Sequence, residues 1–192
     1  MRKLKLQVQI TLDGFISGSN GETDWMPPVW DEAFRKYEYD LAETSDTLLM
    51  GRKMSEEFLN HWEHIAANQP GSEWHSFAQK MVDIPKIVFS ESIASMKGKN
   101  VHVENGNVTT IVHQLKRNMG KDILVYGGAT FASTLIKEKL VDELYLFVNP
   151  VIIGTGKTIF AMTERMQKFM FVSSKYFECG VIVLVYKTNT EV

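Results

Sequence analysis

Three stretches of the chain combine residue types that can hold a phosphorylated ligand: Gly51-Arg52-Lys53, Ser90-Glu91-Ser92 and Gly127-Gly128-Ala129-Thr130. Glycine has no Cβ, so a pyrophosphate can come close to its backbone N–H. Arginine and lysine neutralise phosphate charge, and serine hydroxyls donate to phosphate oxygens. Each stretch also has a plain reading: a glycine pair after a strand is ordinary turn chemistry, and Arg52 and Lys53 serve equally as solvated charges. Their order along the chain, each behind a short apolar run, is what describes a dinucleotide site.

Other motif readings fail. Gly154-Thr155-Gly156-Lys157-Thr158 has the end of a phosphate loop, but the glycine required five positions before Gly156 is replaced by Val151. No G-x-G-x-x-G follows an apolar run, so the dinucleotide fingerprint of doubly wound folds is missing. His61, His64, His75, His102 and His113 form no i, i+4 pair and have no ligand cluster beside them, so no metal is expected.

The elements that must position these stretches follow from apolar spacing. Leu4, Leu6, Val8 and Ile10 alternate with polar neighbours, which predicts a strand, and the turn-rich Asp13–Gly21 segment after it predicts a loop over a ligand. Asp24-Trp25-Met26-Pro27-Pro28 leads into a helix whose Trp30, Phe34, Tyr37 and Leu41 share one face. Thr47–Met50 and Ile87–Ser90 are short buried strands, with helices near Ser55–Trp62 and His75–Val82 and a surface loop from His64 to Glu73. Val108, Ile111, Val112, Leu115 and Met119 predict a helix stopped by Gly120. Ile123–Tyr126, the glycine pair and Thr130–Lys137 form a strand–turn–helix unit. Leu144–Val148 is a further strand, and Phe169–Phe177 with Val181–Lys187 form a hairpin about Glu178-Cys179-Gly180. Strands alternating with helices predict an α/β fold: a mainly parallel twisted sheet between helical layers, with an antiparallel C-terminal hairpin.

Composition narrows the function classes. At 192 residues, the chain is expected to be one domain spanning 1–192. The 21 basic and 23 acidic residues leave a net charge of −2, which removes the electrostatic case for a nucleic-acid partner. No run of about 18 apolar residues occurs, so no membrane-spanning helix is expected. A solitary Cys179 cannot form an internal disulfide, and a reducing cytoplasm is the expected compartment.

The ordered pieces together resemble the dihydrofolate reductase-like superfamily, and within it the branch of the C-terminal reductase domain of bifunctional riboflavin-biosynthesis deaminase/reductases. The matching residues are Thr11-Leu12-Asp13-Gly14, Leu48–Lys53, Val88-Phe89-Ser90, Val125–Ala129, and Val141–Leu144 running into Pro150–Gly156 and Phe160. The resemblance implies a dihydrofolate reductase-like three-layer sandwich that binds NADPH and reduces a small pterin- or pyrimidine-like heterocycle by hydride transfer. It implies that Arg52 and Lys53 meet the 2′-phosphate and pyrophosphate, with Ser90 and Ser92 beside the adenosine phosphate. Gly51, Gly127, Gly128, Ala129 and Thr130 hold the pyrophosphate, and Ile10, Thr11 and the Gly14–Ile16 loop flank the nicotinamide. An arginine there favours NADPH over NADH, because guanidinium matches a phosphate dianion bidentately. A homodimer joined through the C-terminal strands, with Val181–Val185 as an apolar edge, is implied as well.

On the substrate side the same resemblance makes Asp31 and Asp13 the candidate catalytic acids, with Glu32 and Trp25 as substrate contacts. All have plainer readings: Asp31 and Glu32 suit a helix N-terminus, and Asp13 suits the turn before Gly14. Three positions depart from the family pattern: Met54 replaces a threonine, Phe15 a lysine and Tyr126 a glutamate. These departures keep a second expectation open, a nucleotide-binding module of the same fold with little or no turnover.

Overall fold

The computed structural model describes residues 1–27 and 29–189; the second proline of the Pro27-Pro28 pair and residues 190–192 lie outside the described residues. In chain order the elements are β1 (Leu4–Thr11), α1 (Glu32–Glu43), β2 (Ser45–Gly51), α2 (Arg52–Asn68), α3 (His75–Asp83), β3 (Lys86–Phe89), β4 (Val101–Glu104), α4 (Val108–Arg117), β5 (Asp122–Tyr126), α5 (Ala129–Lys137), β6 (Glu143–Asn149), β7 (Phe169–Tyr176) and β8 (Ile182–Thr188). The strands form one sheet in the order β4-β3-β2-β5-β1-β6-β8-β7. The pairings from β4 to β6 are parallel, and β8 is antiparallel to both β6 and β7.

Helices cover both faces, so the sheet separates two apolar cores. Phe34, Leu48, Met50, Phe77, Leu124 and Phe147 share the core beneath α1, α2 and α3. Leu4, Leu6, Leu49, Val125 and Leu135 belong to the core beneath α4 and α5. The alternation in β1 therefore does not mark a wet face. Lys5 and Gln7 are as buried as their apolar neighbours, and each has polar company: Lys5 pairs with Asp122 at 2.8 Å, and Gln7 donates to Glu38.

Two helix boundaries, one short strand and one edge assignment differ from the sequence expectation. The helix after Gly51 begins at Arg52 and runs to Asn68, absorbing the start of the expected loop. The helix after Asn107 ends at Arg117, and Met119, counted with its apolar stripe, is 98% exposed. The four-residue strand Val101–Glu104 carries too little apolar pattern to be seen without its partner β3. Finally, Val181–Val185 is not an edge. β8 lies between β6 and β7, with Val181, Val183 and Val185 buried, and the exposed edge is β7 with Phe171, Val172 and Tyr176. Which strand of a hairpin docks on the sheet is a tertiary choice that the hairpin pattern does not contain.

Candidate functional site

In parallel sheets the loops after the strands gather at the carboxyl edge, where helix N-termini leave backbone N–H groups unpaired. Here Ser90, Gly51, Gly127-Gly128 and Thr11–Asp13 lie at or just past the carboxyl ends of β3, β2, β5 and β1, four consecutive strands in the sheet. All of the expected phosphate-binding stretches thus come to one edge in adjacent order.

Two neighbouring helix starts dominate that edge. Gly51 caps α2 and Gly128 caps α5, neither with a side-chain hydrogen bond. By contrast, Asp31 caps α1 and Asn107 caps α4 through their side chains. α3 also lacks a side-chain cap, but it follows a surface loop rather than a strand. The first-turn N–H groups of α2 and α5 are left for solvent or an anion.

Close contact brings the two starts together. A Cβ on Gly51 would lie 2.7 Å from the Cβ of Phe131, the third residue of α5, so only glycine lets the turns meet this way. Phe131 stacks on Phe89 at 5.2 Å between ring centroids, tying the end of β3 into the same contact. In front of Gly128 a Cβ would meet nothing within 4 Å, and the backbone there faces open space.

Arg52 and Lys53 occupy the first turn of α2, both exposed, with no carboxylate partner among the described residues. Cations at this end of a helix are repelled by its dipole, so two of them with no partner raise the local positive potential rather than stabilise the fold. Ser90 is buried, and its hydroxyl accepts from the N–H groups of Ser92 and Ile93 at 3.1 and 3.2 Å, which shapes the turn; Ser92 is exposed. Ala129 is half-buried and Thr130 exposed in the first turn of α5.

The loop after β1 is held by two staples. Thr11 Oγ1 donates to Asp13 at 2.6 Å, and Asp13 accepts from the N–H groups of Gly154 at 2.7 Å and Ile153 at 3.2 Å. The Thr11 hydroxyl, aided by those backbone groups, holds the exposed Asp13 carboxyl below its ordinary pKa despite some desolvation. Ile10 and Thr11 are themselves buried. The failed phosphate-loop segment supplies the second staple, an antiparallel bridge between Ser17 and Lys157. A Cβ on Gly156 would strike the Ser17 carbonyl, so this glycine serves backbone contact. Trp25 lines a shallow cleft with Gly18, Glu22, Ile153 and Thr155, and its indole Nε1 is buried without a partner.

Asp31 is committed elsewhere. One carboxylate oxygen accepts from Phe34 N at 2.8 Å, capping α1, and the other accepts from Cys179 N at 2.9 Å in the β7–β8 turn. Desolvation works to raise its pKa, but these backbone groups prevail and the carboxyl sits below its ordinary value. Glu32, in the first turn of α1, is exposed.

A residue the sequence reading passed over lies two turns further along α1. Glu38 is buried, accepting from Gln7 Nε2 at 2.8 Å and Gln9 Nε2 at 3.4 Å, and burial pushes its pKa up to about 8. Asn149, at the end of β6, donates to Gln9 Oε1 at 2.9 Å. The Tyr126 hydroxyl is buried beside Gln7 and Glu38, and desolvation, with Glu38 close by, drives its pKa well above the ordinary tyrosine value even though a hydrogen bond to Gln7 works to lower it. The signal in the sequence was a charged residue four positions after Phe34 and three before Leu41, on the face that points inward. Among the described residues, no group of His, Cys, Asp or Glu side chains is arranged to hold a metal ion, and no helix is long and apolar enough to cross a membrane.

Comparison with known proteins agrees with this architecture. Residues 2–183 match the model of the RibD C-terminal domain. The Bacillus subtilis (strain 168) protein YyaP is 34% identical over 189 residues, covering 98% of this chain and 96% of the relative. Two of the solved structures that share the fold show its range. One is the Thermotoga maritima diaminohydroxyphosphoribosylaminopyrimidine deaminase/5-amino-6-(5-phosphoribosylamino)uracil reductase, with a TM-score of 0.68, 18% identity, and coverage of 98% of this chain and 57% of that one. The other is dihydrofolate reductase from Enterococcus faecalis complexed with NADP(H), with a TM-score of 0.61, 16% identity, and coverage of 97% and 96%.

Proposed function

The chain belongs to the RibD C-terminal domain family, a reductase-like family, and from that premise we propose that it is an NADPH-dependent reductase of a small pterin- or pyrimidine-like heterocycle. The observation that carries this reading is the pair of uncapped helix starts at Gly51 and Gly128, joined through Phe131, with Arg52 and Lys53 beside them. Two convergent helix N-termini suit a pyrophosphate, and a guanidinium at the edge suits a further phosphate. The open space before Gly128 leaves the backbone free for that approach. Reduced nicotinamide, when bound, supplies a hydride. The loop stapled by Thr11 and Asp13 walls the carboxyl edge beside β1, where it would orient the ring against the substrate.

One observation favours the second reading, a binding module without turnover: the carboxylates of Asp13 and Asp31 are both occupied by backbone N–H groups. A reductase then needs its proton from water or from another acid. The readings separate in one experiment. NADPH should raise the melting temperature under both, whereas loss of reduced-nicotinamide absorbance with a panel of pterins, folates and pyrimidines belongs to the reductase alone. No thermal shift with either NADPH or NADH removes both.

We further propose a homodimer formed along β7, whose exposed Phe171, Val172 and Tyr176 leave an apolar sheet edge. Light scattering that gives the mass of one chain at working concentration would exclude it.

A further inference from the structure

We infer that the site selects its substrate by the charge of the arm attached to the heterocycle: it takes a free hydroxylated arm in the cleft beside Trp25 and rejects the same arm carrying a phosphate. The inference rests on the reductase reading above and names the substrate class of that site.

Charge is divided along the carboxyl edge. Arg52 and Lys53, the cations proposed for the cofactor, lie at the end of β2. At the β1 end the balance is reversed: between Lys5 and Arg35 the chain has no basic residue and five carboxylates, Asp13, Glu22, Asp24, Asp31 and Glu32. Asp31 is spent on the α1 cap and Asp13 on the backbone of Gly154, whereas Glu22 and Asp24 are exposed and line the cleft. Asp24 has no partner among the described residues. The Glu22 carboxyl is held below its ordinary pKa by its own N–H and by Asn20, so it is ionised at neutral pH. The facing segment Pro150–Phe160 supplies one cation, Lys157, whose Nζ would lie 3.9 Å from a Cβ on Gly21 and does not line the cleft.

The cleft itself is the second observation. It has a volume of about 350 Å³ between the loop after β1 and the loop after β6, at the small end of the range for small-molecule sites. Trp25 lines it, and the indole Nε1, a donor, is buried without a partner. Buried donors are almost always paired, so an unpaired one beside a cleft points to an acceptor atom on a ligand. Ser19, Asn20 and Thr155 complete the wall with uncharged groups that both donate and accept.

Chemistry selects the class. A hydroxyl donates and accepts at once: its proton suits the carboxylates of Glu22 and Asp24, and its oxygen suits the Trp25 N–H. The C–H groups of the same arm suit the apolar face of the indole. A phosphate dianion only accepts, and it would stand beside two like charges with no arginine or lysine in the cleft wall among the described residues. A protonated amine would satisfy the carboxylates but leave the Trp25 donor without an acceptor. The free hydroxylated arm is the one that meets every group in the wall.

Nuclear magnetic resonance titration of the tryptophan indole groups in the whole protein, saturated with NADPH at neutral pH, tests this with three probes that share one ring: uracil, uridine and uridine 5′-monophosphate. The Trp25 indole N–H, identified by its loss in Trp25→Phe, should shift on addition of uridine. Uridine should bind at least about threefold more tightly than uracil and about tenfold more tightly than the monophosphate. Asp24→Asn changes an exposed side chain without a partner, so it should fold as the wild type does and narrow the uridine-to-monophosphate ratio by roughly threefold, as should high salt. A monophosphate that binds as tightly as uridine, uridine no tighter than uracil, a Trp25 signal that uridine does not move, or an unchanged ratio in Asp24→Asn would overturn the inference. Absence of an NADPH thermal shift in the wild type would overturn the reductase reading instead, while the ranking of the probes, read at Trp25, still decides the cleft.

Discussion

Gly51 and Phe131 touch so closely that a methyl group on Gly51 would sit 2.7 Å from the Phe131 Cβ, a backbone-anchored atom that no rotamer change can move. This contact sets the spacing of the α2 and α5 N-termini. Gly51→Ala should therefore cost about 1–3 kcal/mol through overpacking and lower the melting temperature by roughly 2–10 °C. It should also weaken NADPH binding by spreading the two helix starts. Gly128→Ala is the contrasting case: its φ of −69° suits alanine and its Cβ would meet nothing. That variant should keep the wild-type melting temperature and lose NADPH affinity. Calorimetric unfolding and NADPH titration of both variants separate packing from binding.

Arg52 has no carboxylate partner among the described residues and lies where the α2 dipole disfavours a cation. Arg52→Ala should thus leave stability unchanged or slightly improved. If Arg52 meets the 2′-phosphate, NADPH affinity should fall about tenfold or more, as expected for a charged hydrogen bond, and NADH affinity should hardly change. Equal losses for the two cofactors would remove that role.

Asp31 joins the α1 N-terminus to the β7–β8 turn through Phe34 N and Cys179 N. Asp31→Ala should cost about 1–2 kcal/mol for the cap, measured as a shift in the urea midpoint, and Asp31→Asn should recover much of it. Because its folded pKa is lowered, the Asp31 contribution is present above the unfolded pKa and lost as pH falls through the folded one. Turnover in Asp31→Asn close to wild type would assign Asp31 to scaffolding.

Glu38 gives the opposite pH dependence. Its folded pKa is raised from 4.5 to about 8, so the folded state holds a proton that the unfolded state releases. Stability should fall as pH rises from about 4.5 to about 8, by a few kcal/mol in all, and level off above that. Subtracting the profile of Glu38→Gln isolates this slope from that of the other carboxylates. A flat difference between the two profiles would show that Glu38 ionises normally in the fold.

Local patterns were enough to read most elements and the glycine and serine turns at the carboxyl edge. Strands, helices and glycine breaks are written in short-range spacing: Gly51 ends its own strand, and Ser90 and Gly127 each follow theirs directly. Three properties required the assembled sheet. Polar residues alternate with apolar ones along β1 in sequence, yet placing β1 between β5 and β6 buries Gln7 and half-buries Gln9 and makes both partners of Glu38. Asp31 is three residues from its first partner, Phe34, but its second, Cys179, is 148 positions away. Strand order makes β7, not β8, the edge.

The amino-acid order by itself determined which segments become strands and helices and which turns offer backbone N–H groups, because those depend on neighbours a few residues apart. Tertiary structure alone decided which acid is buried, which is spent on a cap and which glycine is required, because burial and hydrogen-bond partners come from strands distant in the chain. For this protein the division falls across the candidate site itself: the glycine turns at the carboxyl edge are local chemistry, and the buried polar cluster around Glu38 exists only once β1, β5, β6 and α1 are packed together.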